Sequence, residues 1–223
     1  MTDTSIAPAD MTLDELRLAL APEIAEAAVF DGWSDAALES AASFAGVDLD
    51  VARLAFPDGA MGMTAAWIEH VDAEMRKALP KDDLAQLPIR ERIRSLVQFR
   101  LQMLEGKEEA VRRALAIQAM PQNLPRTLKI AWNSADEMWR LAGDTATDYN
   151  HYTKRTILAG IYSATIAVFI EDESEGKADT RAFLDRRIEG VMKFEKAKAQ
   201  LLGGDREHFD VMRFLGRLRY PAR

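Results

Sequence analysis

Three residues in this sequence have the type and spacing of metal ligands: Asp144, Asp148 and His151 fall on neighbouring turns of one helical pattern. A di-iron bundle would need Glu-x-x-His units repeated on a second pair of helices, and no such repeat is present. Helix capping by Asp144 and a surface place for His151 are the plainer expectations. Other chemistries lack their groups. There is no cysteine, which excludes disulfides, thiol catalysis and cysteine metal sites. His70, His151 and His208 are far apart and none lies in an HExxH frame; Gly59 and Gly62 in DGAMGM lack the Gly-Lys-Ser/Thr ending of a phosphate loop. We expect no catalytic residue, no metal and no cofactor.

The stretch from Asp136 to Tyr162, DEMWRLAGDTATDYNHYTKRTILAGIY, carries the chemistry that remains, which is recognition. Met138, Trp139 and Leu141 end one helical pattern where Asp148, Asn150, His151, Tyr152 and Arg155 begin the next, the two meeting at Gly143 and Asp144. Asp148, Tyr152 and Arg155 stack at i, i+4 and i+7, which predicts one accessible edge. Aromatics beside methionine and arginine have the composition of a partner hot spot. Beyond them Thr156 to Ile170 is an uncharged run of about 15 residues, roughly 22 Å as helix, shorter than a ~30 Å hydrocarbon core. It reads as an enclosed helix.

The elements that must hold this stretch are all helical, about nine or ten in number. Thr12 and Glu15 have capping-box spacing, and Leu13, Leu16, Leu20 and Ile24 recur at helical intervals to about Phe30. Gly32, a Ser34 or Asp35 cap and the Gly46-Val47 turn set out two shorter helices, to Phe44 and from Leu49 to Phe56. A fourth helix covers Met61 to Leu79, and Pro88 opens a long one with the stripe Ile89, Ile93, Leu96, Val97, Leu101 and Leu104. Its Arg90, Arg92, Arg94 and Arg100 read as a solvated face. Further helices follow over 107–120, from Pro125 to Gly143, from the Asp144 junction to Ile170, and over 180–199. We place Trp67, Val97, Leu101, Leu104, Trp132, Ile157, Ile161 and Phe169 on the wall of an internal pocket.

Charge is distributed unevenly: the first 60 residues hold twelve Asp/Glu against two Lys/Arg, the remainder twenty-four against twenty-seven. The first three helices have the separations of a TetR-type helix-turn-helix head. Yet Asp31 to Asp58 carries six acids against Arg53 alone, and DNA needs cations at phosphates and base edges. DNA binding is therefore not expected, and a ligand-responsive regulator is kept only as the alternative. At the other end REHFDVMRFLGRLRYPAR is basic and amphipathic; Phe209, Met212, Arg213, Leu215, Arg217 and Leu218 are the expected membrane contacts. The organisation expected is an arm (1–11), a degenerate head (12–59), a helical ligand-binding body (60–202) and this tail (203–223). The N-terminus shows neither secretory-signal nor transit-peptide character.

The signature Ala142-Gly143-Asp144, Thr147-Asp148, Asn150, Tyr152-Thr153 and Arg155, with the Gly32-Trp33 head and the Phe183-Leu184 and Arg187 helix, resembles the Coq-nine family of lipid-binding accessory proteins of ubiquinone biosynthesis. The resemblance implies a TetR-like all-α fold, a homodimer, and a pocket for isoprenoid lipid or quinone intermediates. It implies no enzymatic activity but presentation of the lipid to the late-acting hydroxylase. The hydroxylase patch would fall on Met138, Leu141, Asp148, His151, Tyr152 and Arg155. His151 departs from the tryptophan common in mitochondrial members, which puts the strength of that contact in doubt. Without a transit peptide, a bacterial member peripheral to the inner membrane is expected.

Overall fold

A computed structural model describes residues 10–146 and 149–202, apart from the side chains of 149, 192 and 194–202. The described residues form helices and connecting turns with no strand: α1 (Leu13–Asp31), α2 (Asp35–Ala45), α3 (Leu49–Ala55), α4 (Gly59–Ala78), α5 (Lys81–Leu84), α6 (Ile89–Gln102), α7 (Glu108–Gln118), α8 (Leu124–Leu141), α9 (Tyr149–Phe169) and α10 (Ala178–Leu202). The chain divides into two units, Met1–Leu184 and Asp185–Arg223. Of the second, the continuation of α10 to Leu202 is described.

Local chemistry sets the head. Glu15 N–H donates to Thr12 Oγ1 (3.3 Å) while Thr12 N–H donates to the Glu15 carboxylate (2.8 Å), the reciprocal bonds of a capping box. Asp48 caps α3 by accepting from the backbone N–H groups of Asp50 and Val51. Gly46, at φ +67°, turns α2 toward α3. Leu16, Leu20 and Ile24 of α1 are buried, and α1 packs on α2 and α4. Trp33 locks the head to the body: its indole N–H donates to the Ala110 carbonyl (2.8 Å), and its ring lies 5.4 Å from that of Trp67. Arg113 adds a second tie by donating to the Phe30 carbonyl (2.9 Å) at the open end of α1.

The body is built on α4, α6, α8 and α9, with α7 across one side. α6 buries Ile93, Leu96, Val97 and Leu101 as its stripe predicts, but Arg100 is buried among them, only 2% exposed. Arg92 is bound as well: it donates to the carbonyls of Leu87 (2.7 Å), Ala85 (2.9 Å) and Ala142 (2.8 Å). The arginine face of α6 is thus not uniformly solvated, because two guanidiniums are used to tie neighbouring elements. After α9, the buried Asp172 carboxylate accepts from the N–H and hydroxyl of both Ser174 and Thr180, at 2.5–2.9 Å, and so organises the turn into α10. Burial acts to raise its pKa, but these bonds outweigh it and hold the carboxyl well below the ordinary range.

Candidate functional site

The α8–α9 junction is made by a Schellman turn. Gly143 N–H donates to the Arg140 carbonyl (3.1 Å) and Asp144 N–H to that of Trp139 (2.9 Å). Gly143 stands at φ +90°, where any other residue is strained, and a Cβ there would meet the Arg92 guanidinium at 3.1 Å and push it by a few tenths of an ångström, so glycine is favoured on both counts. The turn delivers the Asp144 carboxylate to α9. Arg155 Nε donates to Asp136 Oδ1 (2.5 Å), and its Nη1 to Asp144 Oδ2 (3.0 Å) and the His151 carbonyl (3.1 Å). Each acid has a second cation, Arg140 on Asp136 (2.8 Å) and Lys154 on Asp144 (2.7 Å). Burial works to raise the Asp144 pKa, but Lys154 and Arg155 outweigh it and hold it below the ordinary value. Trp139 completes the junction by donating its indole N–H to the Lys154 carbonyl (3.0 Å), with the ammonium of Lys154 5.3 Å from the centre of its ring.

This geometry corrects part of the expected edge. Arg155 is 2% exposed and Met138 is fully buried, so neither offers a side chain to a partner. Both build the platform on which the edge rests. Leu141, Trp139 and His151 are half-buried, Asn150 is exposed, and Asp148 lies outside the described residues. What stands out is Tyr152, 61% exposed, its ring 5.8 Å from Trp132 and 5.1 Å from His151. His151 Nδ1 is 2.9 Å from the Ala146 carbonyl. One turn along α8, Leu128 is 70% exposed. Trp132 therefore belongs to an external aromatic cluster and not to an internal wall. Among the described residues no group of three or more His, Asp or Glu is placed to hold a metal ion.

Between α4, α6, α7, α8 and α9 lies a cavity of about 380 Å³. Trp67, Ile68 and Val71 supply one side, Leu104, Val111 and Leu115 another, and Ile130 and Ile166 a third. Of the residues expected to line a pocket, Trp67 and Leu104 do. Leu101 and Phe169 line a separate hollow of about 100 Å³ beside Lys177 and Thr180. Val97, Ile157 and Ile161 line neither; Val97 is sealed in the core, and the two isoleucines are half-buried elsewhere on α9.

Sequence reasoning missed the cavity's polar wall. Arg100, Ser134 and Tyr162 all contribute to it. Arg100 is ion-paired with Asp72, donates to Ser134 Oγ (3.2 Å) and lies 4.8 Å from the centre of the Tyr162 ring. Ser134 Oγ in turn donates to Asp72 Oδ2 (3.1 Å). Burial pushes the Asp72 carboxyl up, against the opposing pull of Arg100 and Ser134. The signal was available: Arg100 falls on the line Ile93, Val97, Leu104 at helical spacing, where a charged residue needs an internal partner.

Residues 124–195 match the COQ9 family model. The chain is 35% identical to the ubiquinone biosynthesis protein COQ9, mitochondrial, of Rattus norvegicus over 167 residues, 72% of this chain and 54% of the rat protein. It is 32% identical to the Homo sapiens protein of that name over 168 residues, 72% of this chain and 52% of the human one. COQ9-B of Xenopus laevis is 33% identical over 181 residues, 76% of this chain and 60% of the frog protein. The chain thus spans somewhat over half the length of these curated relatives. Among solved structures, a TetR transcriptional regulator from Nitrosomonas europaea ATCC 19718 superposes with a TM-score of 0.62 at 23% identity, covering 78% of this chain and 95% of that one. The fold is TetR-like and all-α, and the chain is similar to the COQ9 proteins, in line with the resemblance read from the Ala142–Arg155 signature.

Proposed function

We propose that this relative of the COQ9 proteins is a non-catalytic accessory protein of ubiquinone biosynthesis, which holds an isoprenoid quinone intermediate or related lipid and presents it to a late-acting hydroxylase. The observation that carries the reading is the cavity of about 380 Å³, with a wall that is mostly aliphatic and aromatic, in a chain similar to proteins named for that pathway. Its size falls in the range of about 300–1,000 Å³ usual for small-molecule pockets. The hydroxylase would dock on the exposed aromatic edge of Tyr152, His151 and Trp132, extended by Leu128 and backed by Trp139 and Leu141. Peripheral contact with the bacterial inner membrane through Phe209, Met212, Arg213, Leu215, Arg217 and Leu218, and assembly as a homodimer, belong to the same proposal. The tail contacts rest on sequence and lie outside the described residues. No described helix is long and apolar enough to cross a membrane.

The deciding experiment is organic extraction of freshly purified protein followed by mass spectrometry, with a TetR-type regulator purified in parallel as the control for adventitious lipid. Enrichment of polyprenylated quinone precursors is the expected result. Recovery of the same bulk phospholipid from both proteins would overturn the lipid assignment.

A ligand-responsive DNA-binding regulator is the second reading, favoured by the fold alone. The recognition-helix position argues against it. Arg53, the only cation on α3, lies 3.3 Å from Asp50 and 3.8 Å from Asp35, and its exposed neighbours are Asp50, Val51 and Leu54. Retention of a specific duplex at moderate salt would revive this reading.

A further inference from the structure

In a DNA-binding helix-turn-helix, the two helices of the motif turn their outer face to nucleic acid. On this head the corresponding face of α2 and α3 carries large apolar groups. Phe44, at the end of α2, is 79% exposed, and Leu54 and Val51 on α3 are 65% and 41% exposed. Val51 and Leu54 stand at i and i+3, so they share one side of α3. On α2 the exposed residues Ala36, Ser40 and Phe44 recur at four-residue intervals, a row of small side chains that ends in a large aromatic. Only Gly46, Val47 and Asp48 separate the two helices, and Val47 N–H donates to the Ala42 carbonyl (2.8 Å), so Phe44 and the first turn of α3 meet at a tight corner. Toward the other end of α2, Arg53 of α3 lies 3.8 Å from Asp35.

The charges beside these groups decide what can cover them. Asp35 and Asp50 share the single cation Arg53. Glu39 and Asp48 are exposed and, among the described residues, have no ion pair; Asp48 meets only the backbone N–H groups that it caps. Nucleic-acid phosphates and the headgroups of an anionic membrane are repelled by such a surface. A second copy of the same face would set acid against acid. A cationic partner is attracted, and to displace water from Phe44, Val51 and Leu54 it must also bring an apolar stripe. An amphipathic helix supplies both, its apolar residues recurring every three or four positions with Lys or Arg beside them.

We propose that the α2–α3 face of the head is a docking surface for a cationic amphipathic helix of a partner protein. Phe44, Val51 and Leu54 take its apolar stripe, and Glu39 and Asp48, the carboxylates without a cation, face the Lys or Arg residues that flank the stripe. The helix-turn-helix geometry thus serves to hold a protein helix in place of nucleic acid. The face lies on other elements than the Tyr152 edge and the cavity, so this inference does not depend on the lipid-holding role.

The test is fluorescence anisotropy of a labelled peptide, LKKLLKLLKKLLKL, titrated with the full-length protein. The peptide should bind, and binding should weaken as salt is raised, because the rim carboxylates are exposed. The same peptide with Glu for every Lys should not bind. Phe44→Ser with Leu54→Ser removes the apolar contact; Glu39→Lys with Asp48→Asn removes the free acids and keeps a capping side chain on α3. Each double variant, checked for an intact cooperative melt, should weaken binding by about tenfold or more. Tyr152→Ala should leave it unchanged. Failure of the cationic peptide to bind overturns the proposal, as does equal binding of the Glu peptide. Unchanged affinity in both folded head variants, or a loss with Tyr152→Ala in their place, overturns it as well, since the helix then docks elsewhere. If the serine variant alters the oligomeric state in sedimentation velocity and leaves peptide affinity unchanged, the face is a contact between copies, and the partner-helix proposal fails.

Discussion

Two arginines in this molecule are equally buried and differently provided for. At the α8–α9 junction Arg155 meets two carboxylates and a backbone carbonyl, and each carboxylate is shared with a second cation. In the cavity wall Arg100 meets one carboxylate and one hydroxyl, and an N–H is left over. A guanidinium closed into such a network fixes geometry and has little left to offer a ligand. One with an unmatched buried N–H carries a free-energy cost that the first does not. Residue type and burial are the same at both sites; the difference lies in how fully the hydrogen bonds are met.

The comparison breaks first at Arg155. Arg155→Met should destabilise the protein by about 3–5 kcal/mol, because it removes the buried guanidinium that bridges Asp136 and Asp144 and leaves each acid only its more exposed second cation, Arg140 or Lys154. Urea unfolding measures this directly, and a loss under about 1 kcal/mol would return Arg155 to the surface role that helical spacing suggested.

Arg100→Met should cost less, about 2–4 kcal/mol, since a single carboxylate is left without its cation. Adding Asp72→Leu should recover most of that loss, because the buried charge disappears with its partner. If the double variant is as unstable as the single one, the cluster is packing the core and not holding an ion pair.

Much of the fold was legible because its signals are local. Thr12 with Glu15, Ser34 and Gly46 act through the backbone within a few residues, and the structure puts helix ends where they predict. Gly143 likewise marked the α8–α9 turn. The site was less legible because periodicity gives a face but not what covers it. Tyr152 and Arg155 are three residues apart and were read as one edge; docking of α8 covers Arg155 and leaves Tyr152 exposed. On α8 the buried side is Ser134, Ala135 and Met138, while Leu124 and Leu128 face out. Arg100 was grouped with Arg90 and Arg94 by composition, whereas its position in the apolar stripe identified it as internal.

A third, smaller effect concerns acid. Asp144 and Asp172 have pKa values held below the ordinary carboxylate value, so their stabilisation is fully present above the unfolded value of about 3.9 and is lost as pH falls through the folded value. The urea midpoint should therefore hold from neutral pH to about pH 5 and drop below about pH 4. Asp72, raised by burial, contributes the opposite slope, present below its unfolded value and lost as pH rises through the folded one. Comparison with Asp172→Asn separates the two. That variant should lose about 1–3 kcal/mol at neutral pH, through weakened bonds to Ser174 and Thr180, and show a shallower acid decline. An unchanged acid slope would mean that Asp172 titrates as it does in the unfolded chain.

The smallest stability effect is expected where the proposed partner contact is greatest. Tyr152 stands on the platform that Arg155 and Met138 support, yet its own ring is mostly in water. Tyr152→Ala should change unfolding free energy by no more than about 1 kcal/mol, as for an exposed position whose contacts are the edges of Trp132 and His151. The same variant should weaken retention of a ubiquinone-pathway hydroxylase by about tenfold or more, because an exposed aromatic is the kind of anchor that dominates an interface. Set beside Arg155→Met, it separates support from contact. Arg155→Met lowers stability and loses binding as a consequence, while Tyr152→Ala loses binding with the fold intact. If Tyr152→Ala retains the hydroxylase at wild-type strength, the aromatic edge is not the docking surface, and the Arg155 network then serves the fold alone.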